Sequence, residues 1–403
     1  MPEVLDRRRI GSPSTTARIA CVQGGDFWTT KCRLDIDGQE FYGGQRYSID
    51  AYERFVAGHL YLVVSLDAPV YAEQRGSASY CGVPNPLPTS LVPRRVSEWL
   101  RARQVIRHLE AFGATHLIVR CNDLVGCELL RWAMRRNVQV AAIQASRFAG
   151  NHRYSRLFCQ LGNAPNVRLM ANHNRAATAS MVECGLAAEK AIAWDFPPAI
   201  TPDRWSPRQL DTTATPTIVF AGRVCHEKGV GDLVAGCAMC REQGHPVKLV
   251  ICGDGPLLPE LRRHPGVGEG WLELAGLLQN TQIHERMRSG TLTAVPSRHD
   301  FAEGLPLVIY ESLAARTPVL LSDHPIFVRY FHDDQAIRFF RGSDPASLAQ
   351  QIIRLLGDAP AYARLSHETE AVWNTLHCPT TFGDVLDRLR HEWNLDTPTA
   401  DED

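Results

Sequence analysis

A stretch of 22 residues, FPPAITPDRWSPRQLDTTATPT at 196–217, carries five prolines and interrupts every hydrophobic periodicity around it. Proline fixes φ and removes a backbone N–H, so such a run continues neither a helix nor a strand. Before it, short apolar runs at 18–22, 60–65, 115–120, 138–144 and 167–172 read as buried strands, with helix-like spacing at 49–58, 96–112, 127–136 and 175–184. After it the alternation restarts, with strand-like runs at 217–223, 247–253, 272–276, 292–297 and 318–322. Apolar strands separated by helical segments imply parallel sheets covered on both faces. The expected architecture is α/β, with two Rossmann-like doubly wound parallel-sheet domains facing across a cleft. The expected boundaries are 1–198, a linker at 199–216, a second domain at 217–375, a helix at 376–395 returning to the first domain, and a disordered acidic tail at 396–403. A chain of 403 residues, 44% hydrophobic and 22% charged, is long enough for two such cores.

Composition excludes several classes of function. A formal charge of −1 offers no electrostatic footprint for nucleic acid. No run approaches the ~20 apolar residues that cross a bilayer, and the opening MPEVLDRRRIGSPSTTAR has no apolar signal segment, so a cytoplasmic location is expected. The 12 cysteines are scattered through apolar settings, and Cys237 and Cys240 form a CxxC inside a helical pattern with no second pair, which reads as core thiols and not as a metal site.

The chemistry concentrates after the break. Glu303 and Glu311 bracket EGLPLVIYE, at the junction between the strand-like LTAVPS and an apolar helical run. Gly304 is expected to open that helix, with Pro306 in the first turn and free first amides favouring an anion. If both carboxylates were helical they would stand about 80° apart around the axis and about two turns apart along it. FAGRVCHEKGV places Arg223 and Lys228 at the end of the first strand after the linker, one cation a fork and the other a point charge, a combination suited to a diphosphate. VICGDGP ends the next strand in a Gly-rich turn that lacks the dinucleotide fingerprint and reads as close backbone packing. AGLL, at 275–278, ends another strand at Leu277, where backbone groups can meet a flat base.

In order and spacing, FAGRVCHEKGV, VICGDGP, AGLL and VPSRHDFAEGLPLVIYESLAARTPVLLSD resemble the retaining glycosyltransferases of the GT-B fold, family 4 (glycosyl transferases group 1). The resemblance implies transfer of a sugar from a nucleotide diphosphate sugar, UDP- or GDP-linked, to a hydroxyl acceptor with retention at the anomeric carbon. It implies no required cofactor and no metal. Arg223, Lys228 and Glu303 would carry the catalytic work: the two cations hold the diphosphate, and Glu303 faces the donor sugar. Glu311 would hold the ribose, amides of Gly304, Leu305 and Leu307 would meet sugar or phosphate, and Leu277 would contact the base.

In the first half, YGGQRYSIDAYERFVAG resembles the family's Gly-Gly loop, with Gly43 and Gly44 approaching the phosphates or acceptor and Gly24-Gly25 as a competing pair. Where the family often carries a His, the matching stretch has Gln144, with His152 eight residues later; Asn172 follows a strand end on the presumed cleft. Alternative activities on the same fold are a nucleotide-sugar epimerase or phosphorylase, or a non-catalytic homologue that binds nucleotide sugar. The segment 94–112 brings Val96, Trp99, Leu100, Ile106 and Leu109 near one helical face beside Arg94, Arg95, Arg101, Arg103 and Arg107, which reads either as a core face with solvated arginines or as a surface for peripheral contact with the inner face of an anionic membrane.

Overall fold

A computed structural model describes residues 17–38, 40, 44–87, 90, 92–148, 152–301, 303 and 305–395. Two sheets divide the chain at the proline-rich break. The first contains β1 (Arg18–Gln23), β2 (Leu60–Ser65), β3 (Tyr71–Arg75), β4 (Ala78–Gly82), β5 (His116–Arg120), β6 (Gln139–Gln144), β7 (Val167–His173) and β8 (Ala191–Trp194), in the order β3-β4-β2-β1-β5-β6-β7-β8. Only β3 and β4 pair antiparallel. The second contains β9 (Thr217–Ala221), β10 (Lys248–Cys252), β11 (Leu272–Gly276), β12 (Leu292–Val295), β13 (Val319–Ser322) and β14 (Ile337–Phe340), all parallel, in the order β11-β10-β9-β12-β13-β14.

The ten strands expected from apolar runs all form, each end within two residues of its expected place. Of the additional strands, β8 (AIAW) and β14 (IRFF) are short apolar runs that the pattern passed over, whereas β3 and β4 lack such runs. Edge strand β3, YAEQR, is largely exposed and lies where apolar patterning carries no signal. The helix Phe27–Asp37 was also absent from the pattern, although Asp26 caps it by accepting from Thr29 N–H. In each sheet the strand order reverses beside its first strand, between β1 and β5 and between β9 and β12. Crevices at the carboxyl ends of strands open at such points.

Three features depart from expectation. The helix after LTAVPS begins at Leu307, not Gly304, because Pro306 is extended (φ −65°, ψ 138°) and acts as the N-cap. Glu303 therefore stands in the preceding loop, and the angular relation expected of two helical glutamates does not apply. In the helix Arg94–Phe112 the apolar residues do not share one fate: Leu109 is buried, whereas Val96 and Trp99 remain 39% and 41% exposed. Arg101 turns into the core and donates to the carbonyls of Val83 and Leu66. The cysteines follow expectation: all 12 are unpaired, and burial pushes the Cys240 thiol up to about 11, so the CxxC is packing.

The chain crosses between domains twice, and the crossings touch. Asp195 N–H donates to Thr380 O at 2.9 Å, and Phe382 N–H to Asp195 O at 3.2 Å. Beyond them the helix Phe382–Glu392 packs on Gln45–Val56, burying Phe382, Leu386, Leu389 and Trp393 beside Ile19, Tyr52 and Trp194 of the first domain. The proline-rich segment runs along the second domain: buried Arg316 donates to the carbonyls of Pro202 and Trp205, and Arg208 N–H donates to Ser366 Oγ at 2.7 Å. No helix among the described residues is long and apolar enough to cross a membrane.

Candidate functional site

The carboxyl edge of the second sheet is stitched together by its loops. Gly222 N–H donates to Cys252 O (2.9 Å), Gly253 N–H to Gly276 O (2.7 Å) and Val224 N–H to Asp254 O (2.8 Å). A Cβ on Gly253, at φ +145°, would stand 1.9 Å from Gly222 O. The GDG turn is thus glycine because three backbones meet there. Arg223 and Leu277 are both exposed on this edge.

The loop carrying Lys228 and the loop carrying Glu303 form one unit. Gly229 sits at φ +67°, and a Cβ there would come within 2.0 Å of Pro296 O. Arg298 adds three ties: its N–H donates to Glu227 O at 2.9 Å, and its guanidinium grips Asp232 with Nε–Oδ2 at 2.8 Å and Nη2–Oδ1 at 2.7 Å. A bidentate fork fixes orientation as well as distance. The carboxylate in turn holds the Arg298 guanidinium above its usual range.

This unit delivers Lys228 to Glu303, 75 positions apart in sequence. Lys228 Nζ lies 2.5 Å from Glu303 Oε2 and 4.8 Å from the centre of the Phe301 ring. The fully buried Ser297 hydroxyl donates to the same Glu303 oxygen at 2.6 Å, and Glu303 itself is only 8% exposed. A buried carboxylate needs such partners. Behind them His324 spans two segments: its Nδ1 accepts from Ile326 N–H, which leaves Nε2 to donate to Phe301 O at 3.0 Å. Burial pushes the His324 imidazole below its ordinary value, while its bond to Phe301 and the Glu303 charge oppose that shift. Sequence reasoning missed Ser297, Arg298, Asp232 and His324. Only the proximity of Ser297 and Arg298 to Glu303 in the sequence was a signal; the others are brought in by the fold.

Glu311 lies on the helix Leu307–Ala314, with Oε1 3.5 Å from His284 Nε2. Both line an interdomain cavity of about 280 Å3, together with Leu307, Tyr310, Asp195 and Gly44. Burial drives the Tyr310 phenol well up, so it is a neutral hydrogen-bonding wall of that cavity. Leu305 is buried beneath the entrance to the helix, and among the described residues no side chain caps the helix's amino end.

The first-domain candidates separate. Gly44 is at φ +87°, and a Cβ there would strike the Phe196 ring at 2.4 Å, so its bareness serves contact with the crossing segment. Gly24 and Gly25 line a different crevice, at the carboxyl end of β1. Gln144 and Asn172 face inward. Gln144 Nε2 donates to Val119 O at 2.9 Å, and Asn172 Nδ2 to Ser146 O (2.9 Å) and Ala177 O (3.1 Å), bonds that brace strands and a loop. His152 is exposed at the start of the helix Arg153–Gly162, beside Tyr154. Gly43 and Gly304 lie outside the described residues.

Residues 215–358, which contain Arg223, Lys228, Glu303 and Glu311, match the family model described as Glycosyl transferases group 1. Among curated relatives, the alpha-D-kanosaminyltransferase of Streptomyces kanamyceticus is 25% identical over 182 residues, 45% of this chain and 46% of its own length. The phosphatidyl-myo-inositol mannosyltransferase of Mycolicibacterium smegmatis is 30% identical over 143 residues, 35% of this chain and 36% of its own. The chain thus spans about half the length of the first of these relatives and about a third of the second. Solved structures extend the likeness across both domains. Anabaena HepE in complex with UDP has a TM-score of 0.60 at 14% identity, covering 94% of this chain and 99% of its own. The lipopolysaccharide outer core galactosyltransferase WaaB gives a TM-score of 0.60 at 12% identity, covering 94% of this chain and all of its own. The fold is GT-B: two parallel-sheet α/β domains facing across a cleft.

Proposed function

We propose that the chain is a retaining family 4 glycosyltransferase, which moves a sugar from a nucleotide diphosphate sugar to a hydroxyl acceptor between its two domains. The observation that carries this reading is the pairing of Lys228 with Glu303, at 2.5 Å, on the carboxyl edge of the sheet whose sequence matches the group 1 model. A cation for phosphate and a carboxylate for sugar hydroxyls stand where a donor's two parts join. The two side chains hold each other. Donor binding exchanges that contact for two, with the diphosphate taking Lys228 and the sugar taking Glu303.

In the transfer, the bond between the anomeric carbon and the diphosphate oxygen breaks, and the electron pair leaves with the nucleoside diphosphate. Arg223, Lys228 and the amino end of Leu307–Ala314 stabilise the charge that develops there. The acceptor oxygen forms the new bond on the face the leaving group vacates, and its proton passes to the departing phosphate. This gives retention. Glu303 orients the ring, Glu311 holds the ribose hydroxyls, and the backbone at Leu277 meets the base. The relative in complex with UDP supports a uridine nucleotide as the first donor to try.

Incubation with UDP- and GDP-sugars, followed by NMR of the glycoside formed, tests the reading. Release of nucleoside diphosphate with an axial anomeric bond kept axial is expected. An inverted product overturns retention, and sugar 1-phosphate or an epimerised donor overturns transfer. Peripheral contact with anionic membrane is proposed through exposed Val96 and Trp99, flanked by exposed Arg95 and Arg103. Flotation with anionic and neutral vesicles decides it, with binding to the anionic set lost in Trp99→Ala.

A further inference from the structure

The two glutamates of the site are held very differently. Glu303 Oε2 already has Lys228 Nζ at 2.5 Å and the Ser297 hydroxyl at 2.6 Å. Glu311 has a single polar side chain near it among the described residues, His284, whose Nε2 stands 3.5 Å from Oε1, at the outer limit of a hydrogen bond. Both side chains line the interdomain cavity of about 280 Å3, and His284 is only 9% exposed.

The sequence of the helix Asn280–Ser289 makes that histidine unusual. The helix buries two residues, His284 and Met287. Met287 enters the apolar cluster that holds Ile309 and Leu313 of the helix Leu307–Ala314. Residues three apart on a helix point to the same side, so a second apolar side chain before Met287 would complete that packing face. The chain places an imidazole there instead, and among the described residues no side chain comes nearer to it in polar contact than Glu311. A buried ring with unused hydrogen-bonding capacity lowers stability, and its position in the cavity wall turns that capacity toward a ligand.

The approach of the pair is set by the backbone. Arg288 Nη1 donates to Ala315 O at 3.1 Å and Thr317 Oγ1 to Met287 O at 2.8 Å, which fasten the two helices near their carboxyl ends. A capping box between Gln279 and Gln282 fixes the first turn of the helix that carries His284. The imidazole is therefore presented from a fixed frame, while the Glu311 carboxylate turns on its own side chain. The other carboxylates of the lining have partners elsewhere. Asp195 Oδ1 accepts from Phe196 N–H at 2.9 Å and lies 3.0 Å from His173 Nε2, and Glu40 accepts from Arg46 N–H.

We propose that His284 is a positioning residue for the ribose of the donor: with nucleotide bound, its Nε2–H donates to Glu311 Oε1, which turns Oε2 to accept from the ribose hydroxyls. The inference rests on the reading of Glu311 as the ribose grip and adds the residue that aims it. It also defines a selection made at this pair, for a ribonucleotide over the analogue without those hydroxyls, because a polar group set to meet a hydroxyl is left unpaired when the hydroxyl is missing.

Isothermal titration of the full chain with UDP and GDP, each beside its 2′,3′-dideoxy counterpart, tests it. The wild type is expected to bind the ribonucleotide about tenfold or more tighter than the dideoxy form, the scale of a hydrogen bond to a charged group. His284→Leu keeps an apolar contact beside Met287 but has no N–H, and should bring that ratio down to about twofold by weakening the ribonucleotide alone. His284→Gln retains an N–H donor and should keep part of the ratio. In a Glu311→Ala background, His284→Leu should change nothing further. Should His284→Leu fail to fold, His284→Asn against His284→Gln makes the same comparison, the shorter amide losing the ratio that the longer one keeps. Equal weakening of both forms, a ratio that survives the loss of the N–H, or a wild type that binds both forms alike overturns the inference while nucleotide binding stands. A wild type that binds neither UDP nor GDP overturns instead the functional reading beneath it.

Discussion

The two domains share a topology but finish their sheets differently. At the second sheet's carboxyl edge backbone is bound to backbone, with Gly222, Gly253 and Gly229 packed so closely that a Cβ at Gly253 or Gly229 would overlap a carbonyl, and Arg298 locks two loops into one. Beyond the end of β1 in the first sheet there is open space. Gly25 has nothing within 4 Å of a built Cβ, and a polar cavity lies where the strand order reverses. The difference separates a rigid frame from an adaptable one. On the proposed reading, a donor with an invariant diphosphate rewards the rigid frame, because the same charges must be met every turnover. Side chains around an open cavity change without disturbing the strands.

The strongest way to break this comparison is at the charges. Lys228→Ala and Glu303→Ala are each expected to lower kcat by about 10^2 to 10^3, the scale of losing an electrostatic group in a transition state, with circular dichroism unchanged. Near-normal turnover in both would sink the donor assignment. Next come the glycines. Gly253→Ala forces a Cβ onto Gly222 O and should cost ~3 kcal/mol in urea unfolding, whereas Gly25→Ala meets only its positive φ and should cost ~1 kcal/mol. Equal costs would erase the claimed contrast in packing. Arg298→Gln should cost ~1–3 kcal/mol by leaving Asp232 without its fork, and it should raise the KM for donor more than that for acceptor.

The smallest effect expected is one of pH, and it falls on both domains. Burial depresses His116 to about 4, and His324 is depressed as well. A His whose folded pKa lies below its unfolded value of ~6.5 binds its proton more readily when unfolded, so stability is full above ~6.5 and declines as pH falls below it. The His116 ring lies 4.8 Å from Trp393, so acid should loosen the helix Phe382–Glu392 from the first domain. Between pH 7.5 and 5.5 the loss attributable to His116 should be about 1 kcal/mol, and His116→Gln should flatten that part of the stability profile. A variant that loses stability with pH as the wild type does would remove His116 from the explanation.

The same contrast accounts for what was legible beforehand. Arg223, Lys228, Glu303 and Glu311 each belong to a strand, turn and helix contiguous in sequence, so a local pattern announces them. The wall of the first-domain cavity comes from four separate stretches, 23–30, 45–52, Arg120 and 143–145, and no spacing connects them. Arg298 reads as a solvated surface cation until Asp232, 66 positions earlier, is placed against it. Apolar runs marked the central strands because both faces are buried, and failed at β3 because an exposed edge has no such need. The helix start was misplaced by three residues because Pro306 suits an N-cap in extended conformation as well as a first turn.

The adjoining crossings at Asp195 and Phe382 bear on the order in which the molecule is made. Ile19, Tyr52 and Trp194 leave the ribosome early, yet the side chains that cover them, Phe382, Leu386 and Trp393, follow only after the entire second domain. At ~5–20 residues per second, that interval is roughly 10–40 s. For that time a nascent first domain presents an apolar face with no cover of its own, a surface suited to a chaperone and a liability in any fragment cut at the proline-rich break.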